Sequence, residues 1–244
     1  MIYQQILQAH KTGRKLLAVL LDPDKINNSF YLESLRVINE SSIDFVLVGG
    51  STVQEGATQK LVASLKSKCK KPIVLFPGEA GQVTPEADAI LFLSLISGRN
   101  PEYLIEQQVR AVPQLKRANL EVIPTGYILI NGGAETSVER VSKTKALDSN
   151  RQEEIVHTAC AGMYMGQKLI YLEAGSGAKH PVAAQIIAAV QQSIDIPLIV
   201  GGGIKTPEQL ELAFSNGADV VVIGTAFENN TDVLQKMIKN ERID

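Results

Sequence analysis

Short apolar runs alternate with longer amphipathic stretches from one end of the chain to the other. The runs occupy 16–21, 45–48, 73–76, 89–93, 122–130, 169–172, 198–200 and 220–223, and several are rich in β-branched residues. Runs apolar on both faces are how buried parallel strands read in a sequence. Between them, stretches at 29–41, 52–66, 101–117, 151–165, 181–192, 207–216 and 231–239 predict helices. Pro101, Pro181 and Pro207 stand near the predicted helix starts, where a missing N–H does no harm. Asn216-Gly217 is a helix stop.

Strands and helices in strict alternation predict an α/β fold, a closed (β/α)₈ TIM barrel, with a doubly wound open sheet as the alternative. A chain of 244 residues suits one barrel domain, and no internal repeat or linker divides it. Two connections depart from the pattern. Residues 77–88 hold Gly78, Gly81 and Pro85 and are too short for a regular helix, so the barrel helix after the third strand is expected to be replaced by a loop. Residues 132–150 form a long excursion after the fifth strand, which predicts a lid at the rim.

Composition narrows the function classes. Hydrophobic residues make up 45% and charged residues 20% of the chain, an ordinary globular balance, and the net charge of −2 leaves no electrostatic footprint for nucleic acid. The densest basic stretch, Lys68-Cys69-Lys70-Lys71, reads as a solvated helix end. Cys69 and Cys160 are far apart and lack metal-ligand spacing, which suits reduced packing residues in a cytoplasmic enzyme. The first residues lack the pattern of a signal peptide, and no apolar stretch reaches the ~18 residues of a spanning helix. No transmembrane segment is expected, and any membrane contact would be transient.

In a barrel, chemistry sits where the strands end. The seventh run ends in Val200-Gly201-Gly202-Gly203-Ile204 and the eighth in Ile223-Gly224-Thr225-Ala226. Consecutive glycines let backbone N–H groups close on an anion, and the helix start after Thr206 adds its dipole, so these ends predict a phosphate grip. The sixth run continues into Tyr171-Leu172-Glu173-Ala174-Gly175-Ser176-Gly177-Ala178. Alternation turns Tyr171 and Glu173 to the same side. Glu173 is a candidate general base; the plainer reading ties it to Lys179 or Lys205. Asp22, near Asp24, and Ser51 end adjacent strands, a donor set that suits magnesium, although Asp22 could equally cap a loop. Arg99 borders the same mouth, either to pair with phosphate or as a solvated side chain.

At these residues the chain resembles the geranylgeranylglyceryl phosphate synthase family of prenyltransferases. The resemblance rests on Leu-Asp-Pro-Asp-Lys at 21–25, Val-Gly-Gly-Ser at 48–51, Phe-Pro-Gly at 76–78, Arg-Asn-Pro at 99–101, the whole 171–178 motif, Val-Gly-Gly-Gly-Ile at 200–204 and Gly-Thr at 224–225. The 171–178 motif discriminates most. The resemblance implies a reaction that joins sn-glycerol 1-phosphate to a prenyl diphosphate with loss of diphosphate. It implies that Tyr171, Glu173, Gly175, Ser176, Gly202, Gly203, Gly224 and Thr225 hold the glycerol phosphate, with the intervening Leu172, Ala174 and Gly177 counted in the same binding segment. It also implies that Asp22 and Ser51 hold Mg²⁺, and that the lipid tail lies in an apolar groove beside strands two to four. Tyr103 is the candidate floor of that groove, against the alternatives of plain helix packing or an oligomer contact. The family forms dimers and larger rings, so a homo-oligomer is expected, a dimer or a hexamer. Three other readings share the phosphate grip. They are a phosphosugar isomerase or lyase, a flavin binder and a non-catalytic phosphate-binding barrel. The fifth run offers Pro124-Thr125-Gly126 where an isomerase would want a second acid–base group.

Overall fold

The computed structural model describes residues 1–26 and 28–224. Its eight parallel strands are β1 (Leu16–Leu21), β2 (Phe45–Val48), β3 (Ile73–Leu75), β4 (Ala89–Leu95), β5 (Glu121–Leu129), β6 (Leu169–Glu173), β7 (Leu198–Gly201) and β8 (Val220–Ile223). They pair in chain order, and β8 returns to β1 in the register Leu16↔Val220 to Val19↔Ile223. That closing ladder makes a barrel and excludes the doubly wound open sheet.

Alternation along each strand sorts the core into two layers. Leu16 and Ala18, Phe45 and Leu47, and Tyr127, Tyr171 and Ile199 point into the barrel. Leu17, Val19, Val46, Leu172 and Val200 point outward against the helices. Those helices are α2 (Asn28–Glu40), α3 (Ala57–Lys68), α4 (Gln107–Leu115), α6 (Gln152–Tyr164), α7 (Ala184–Gln191) and α8 (Pro207–Ser215). Thr206 opens α8 with a capping box to Gln209, and Pro207 occupies the position that needs no N–H. The predicted helix at 231–239 lies outside the described residues.

One helix was not predicted. α1 (Ile2–Thr12) packs Ile2, Ile6 and Ala9, spaced four and three apart, against the barrel interior and closes its N-terminal end. The Glu121 carboxylate accepts the Ile2 and Tyr3 amides, two of the first-turn donors a helix leaves unpaired. His10 Nδ1 meets Asp219 Oδ2 at 2.9 Å on the far side.

Both irregular connections matter for the site. After β3 the barrel helix is replaced by a loop, as predicted, with only a 3₁₀ turn at Ala80–Gln82. The buried Gln82 amide donates to Gly50 O at 2.9 Å and fastens this loop to the end of β2. α3 starts later than expected because Gly56 breaks the preceding turn in a left-handed conformation and Asp24 holds the Gln54 amide in the loop before it. After β5 the excursion folds back on itself. Its base is fastened by Leu147 N to Leu129 O and Asn131 N to Leu147 O, both 2.9 Å. It carries a short helix, α5 (Ser137–Ser142), opened by a capping box between Thr136 and Glu139. A wide π-type turn, Glu102–Glu106, leads into α4, with the Gln107 amide donating to Glu102 O.

Candidate active site

The strand ends and their loops enclose a cavity of about 390 Å³ at the C-terminal mouth of the barrel. Its two halves differ in chemistry. One is lined by Tyr171, Glu173, Ser176, Gly177, Gly202, Gly203 and Gly224. The other runs between the β3 loop and α4 and is lined by Ala80, Val83, Ile90, Phe92, Tyr103 and Ala111. The missing barrel helix is what opens the second half, since a full helix after β3 would fill that space.

Glu173 stands at the centre of the polar half. It ends β6, is 6% exposed, and its Oε1 accepts the Gly175 N–H at 2.7 Å. Burial pushes its carboxyl up to about 7, against the downward pull of the Gly175 amide and the Tyr171 hydroxyl. Among the described residues no Lys or Arg pairs with it, and the Lys205 ammonium goes to Ala178 O at 2.9 Å. The alternative of a carboxylate tied to Lys205 therefore does not hold. The Tyr171 hydroxyl lies against Glu173 but is buried without a well-formed hydrogen bond of its own. Burial, and then the charge on Glu173, holds this phenol well above its usual range, so it stays a donor. A buried phenol whose one poorly formed contact is a carboxylate near neutrality is unusual and marks a functional site.

The glycines here are sterically required. Gly202 has φ +79, and a Cβ on it would stand 2.1 Å from Glu173 Oε1 and 2.6 Å from Gly175 N. Gly175 has φ +99, and a Cβ on it would meet Thr136 Cγ2 at 2.2 Å. The β7 loop thus closes on Glu173 while the start of α5 closes on the β6 loop. Gly201, the first glycine of the predicted grip, belongs to the same contact. A Cβ there would fall 2.3 Å from the Tyr171 hydroxyl.

Below these loops three rings meet inside the barrel. Phe76 stacks on Tyr171 at 5.3 Å between centroids, and Tyr127 is 5.3 Å from Tyr171 and 5.8 Å from Phe76. Phe76 opens the Phe-Pro-Gly motif at 76–78, whereas Tyr127 stands in no motif. Its inward direction follows from alternation with Leu129. Across the mouth, Asp22 and Ser51 line the same cavity. The Asp22 carboxylate lies 3.2 Å from where a Cβ on Gly50 would stand, and Lys25 Nζ pairs with its Oδ2 at 3.1 Å.

The structure separates other predicted site residues from this cavity. Leu172 and Ala174 point into the helical layer, because alternation that turns Tyr171 and Glu173 inward must turn their neighbours outward. Arg99 adopts a left-handed φ of +52 that carries it off the mouth; it lies 3.8 Å from Glu154 in a surface groove. Thr225 lies outside the described residues.

A closed α/β barrel whose glycine loops after β6 and β7, with Gly224 at the end of β8, surround one buried carboxylate has the form of a phosphate-binding TIM-barrel enzyme. The chain matches the PcrB family over residues 10–242, and it belongs to that family. It is 55% identical over 230 residues, covering 94% of this chain and 95% of the relative, to geranylgeranylglyceryl phosphate synthase of Flavobacterium johnsoniae. It is 51% identical over 231 residues to the protein of the same name from Zunongwangia profunda, covering 93% and 97%. Among solved structures it superposes with a TM-score of 0.90 and 31% identity, over 97% of this chain and 95% of the other, on the (S)-3-O-geranylgeranylglyceryl phosphate synthase of Thermoplasma acidophilum in complex with its substrate sn-glycerol-1-phosphate.

Proposed function

We propose that this chain is a prenyltransferase that joins sn-glycerol 1-phosphate to geranylgeranyl diphosphate, forming the ether bond of geranylgeranylglyceryl phosphate and releasing diphosphate. One observation carries the reading. A single cavity has a glycine-lined polar half around Glu173 and an apolar half beside β4 and α4. A small phosphate ester fits the first and a hydrocarbon tail the second. The names of the relatives support this pairing, as does the sn-glycerol-1-phosphate bound in the Thermoplasma acidophilum structure.

The glycine loop of β7 and Gly224 at the end of β8 would take the phosphate, leaving the glycerol hydroxyl beside Glu173. Glu173 accepts that hydroxyl proton as the oxygen attacks the allylic carbon and the carbon–oxygen bond to diphosphate breaks. A carboxylate with a pKa near 7 is matched to this task at neutral pH. The Tyr171 hydroxyl orients Glu173 or the glycerol oxygen by donating to it. The packed rings of Phe76, Tyr127 and Tyr171 exclude water that would trap an allylic cation.

Among the described residues no group of three or more His, Cys, Asp or Glu side chains could hold a metal alone. The Asp22 carboxylate and Ser51 hydroxyl still fit Mg²⁺, which binds through one or two carboxylates and takes its other ligands from water and substrate phosphates. When bound, magnesium would neutralise charge on the departing diphosphate. Lys25, already on Asp22, adds positive charge at the same place. The expected homo-oligomer has a candidate face in Ile105, Val109 and Val112, exposed apolar residues four and three apart on the outer side of the π turn and α4.

The test is direct. The protein, magnesium, sn-glycerol 1-phosphate and labelled geranylgeranyl diphosphate should yield a labelled phosphorylated ether and one equivalent of diphosphate. Release of diphosphate without ether, or no turnover at all, would overturn the reading.

A further inference from the structure

The excursion after β5 is braced from two sides. On the β6 side, Thr136 is 3% exposed and its methyl group rests on Gly175. The Lys179 and His180 amides both donate to Gly132 O, at 2.9 and 3.1 Å. On the β4 side, the last turn of α5 leaves carbonyls that no intrahelical N–H can reach. Two side chains from the segment after β4 satisfy them. Asn100 Nδ2 donates to Ser142 O at 2.7 Å, and the Tyr103 hydroxyl donates to Val141 O at 3.2 Å. Between its braced ends, α5 turns Ser137, Val138, Val141 and Ser142 into the cavity.

Tyr103 therefore has two contacts of different kinds. Its side chain lines the apolar half of the cavity, and its hydroxyl holds the far end of the helix whose near end presses on the glycerol-phosphate loop. The π-type turn sets this position, for Ser94 Oγ donates to Leu104 O at 2.9 Å and the Gln108 amide to Leu93 O and Tyr103 O. Leu104 O and Tyr103 O belong to the turn that carries Tyr103 and Leu93 O belongs to β4, so the turn is fastened to β4 on its inner side.

The geometry points to Tyr103 and Asn100 as a clasp that couples the two substrates. A prenyl tail packed on the Tyr103 ring holds the hydroxyl on Val141, which keeps α5 and Thr136 seated on Gly175 and closes the phosphate loop. Each substrate thereby strengthens the other, and the coupling is reciprocal. Tyr103 and Asn100 are positioning residues here, acting through α5. The inference rests on the two-substrate reading proposed above.

Calorimetry separates the two. The affinity for sn-glycerol 1-phosphate is measured in magnesium buffer with and without an unreactive geranylgeranyl thiolodiphosphate, on wild type, Tyr103→Phe and Asn100→Ala. In wild type the analogue should tighten glycerol phosphate binding by roughly 5-fold or more. Tyr103→Phe keeps the ring and removes the hydrogen bond. It should cut that enhancement about 3- to 10-fold while changing the affinity for glycerol phosphate alone much less. Asn100→Ala should do the same from the neighbouring carbonyl, and circular dichroism checks that both variants fold. An unchanged enhancement in folded Tyr103→Phe and Asn100→Ala, equal weakening with and without the analogue, or no enhancement in wild type would each overturn the clasp. Failure of wild type to bind either ligand would instead overturn the two-substrate reading itself.

Discussion

The polar and apolar halves of the cavity are built by different means. The polar half is made of main chain and a few short side chains on consecutive strand ends, with Glu173, Gly175, Gly202 and Gly203 fitted so closely that an added methyl has no room. The apolar half is made of side chains from elements far apart in sequence, the β3 loop, β4 and α4, around the space of a missing helix. A main-chain site is rigid and intolerant, because its geometry is fixed by φ and ψ. A side-chain slot tolerates change, because removing or adding a few carbons alters its depth before it alters the fold. Substitutions in the first half should therefore abolish function, and those in the second should retune it.

Glu173→Gln gives the largest expected effect. It keeps the shape, removes the base, and should lower kcat by about 10²–10⁴-fold. The wild-type kcat/KM should fall as pH drops below about 7, where the buried carboxyl takes up its proton. A variant retaining more than half of wild-type kcat would remove Glu173 from the chemistry. The same residue should cost stability. Its folded pKa lies above the unfolded value, so the fold binds more protons than the unfolded chain between about pH 4.5 and 7 and loses stability across that window. Above it the penalty is complete, on the order of 3 kcal/mol. Glu173→Gln should therefore melt higher than wild type at pH 8 and not at pH 4, and equal melting shifts at both would contradict the buried, costly carboxylate.

Gly202→Ala comes next. The new methyl would meet Glu173 Oε1 and the Gly175 amide, and the left-handed backbone adds strain. Affinity for glycerol phosphate should fall on the order of 10- to 100-fold, measured by calorimetry. Ordinary affinity would mean that the β7 loop does not form the grip. Across the mouth, Asp22→Asn should raise the half-saturating magnesium concentration about 10-fold or more, since one ligand charge is lost. Glycerol phosphate affinity should change little, because that anion is held on the opposite strands. Magnesium titration of the initial rate decides it, and an unchanged requirement would give Asp22 only its ion pair with Lys25.

The same contrast explains what could be read from the sequence. β1, β2 and β8 begin and end where the apolar runs do, because each run is buried on both faces and bounded by polar residues or glycine. The glycine loops and Glu173 were legible for a related reason. Main-chain sites leave local, contiguous motifs. α1 was not predicted although Ile2, Ile6 and Ala9 carried helical spacing, since its role as a plug is visible only once the barrel exists to receive it. Arg99 was placed at the mouth by its neighbours in sequence, and one left-handed φ sends it elsewhere. The contribution of Tyr127 and Gln82, and the brace on α5, depend on contacts between strands and loops that no local motif records.

The smallest effect should come from the depth of the apolar half, where Tyr103 is the sequence-based candidate for the floor. The cavity is lined by Tyr103 and, further along the same helical segment, by Gln107, Gln108 and Ala111. Eight residues separate Tyr103 from Ala111, about 12 Å of helix at 1.5 Å per residue. If Tyr103 closes the slot, Tyr103→Ala should admit prenyl chains longer by several isoprene units. If the slot continues past it, Ala111 sets the limit. Ala111→Leu then adds three carbons at the deep end, where each methylene kept from burial is worth about 0.8 kcal/mol. Since a leucine side chain can shift its rotamer, only part of that would be felt, and the preference for longer chains should drop by about 3- to 10-fold. Short and long prenyl diphosphates competed in one reaction, with the products weighed, give the ratio for wild type and both variants. A shift in Tyr103→Ala alone places the floor at Tyr103, and a shift in Ala111→Leu alone places it at the lower turn. An unmoved ratio in both would mean that the tail does not lie along α4, and the division of the cavity into a phosphate half and a lipid half would fail with it.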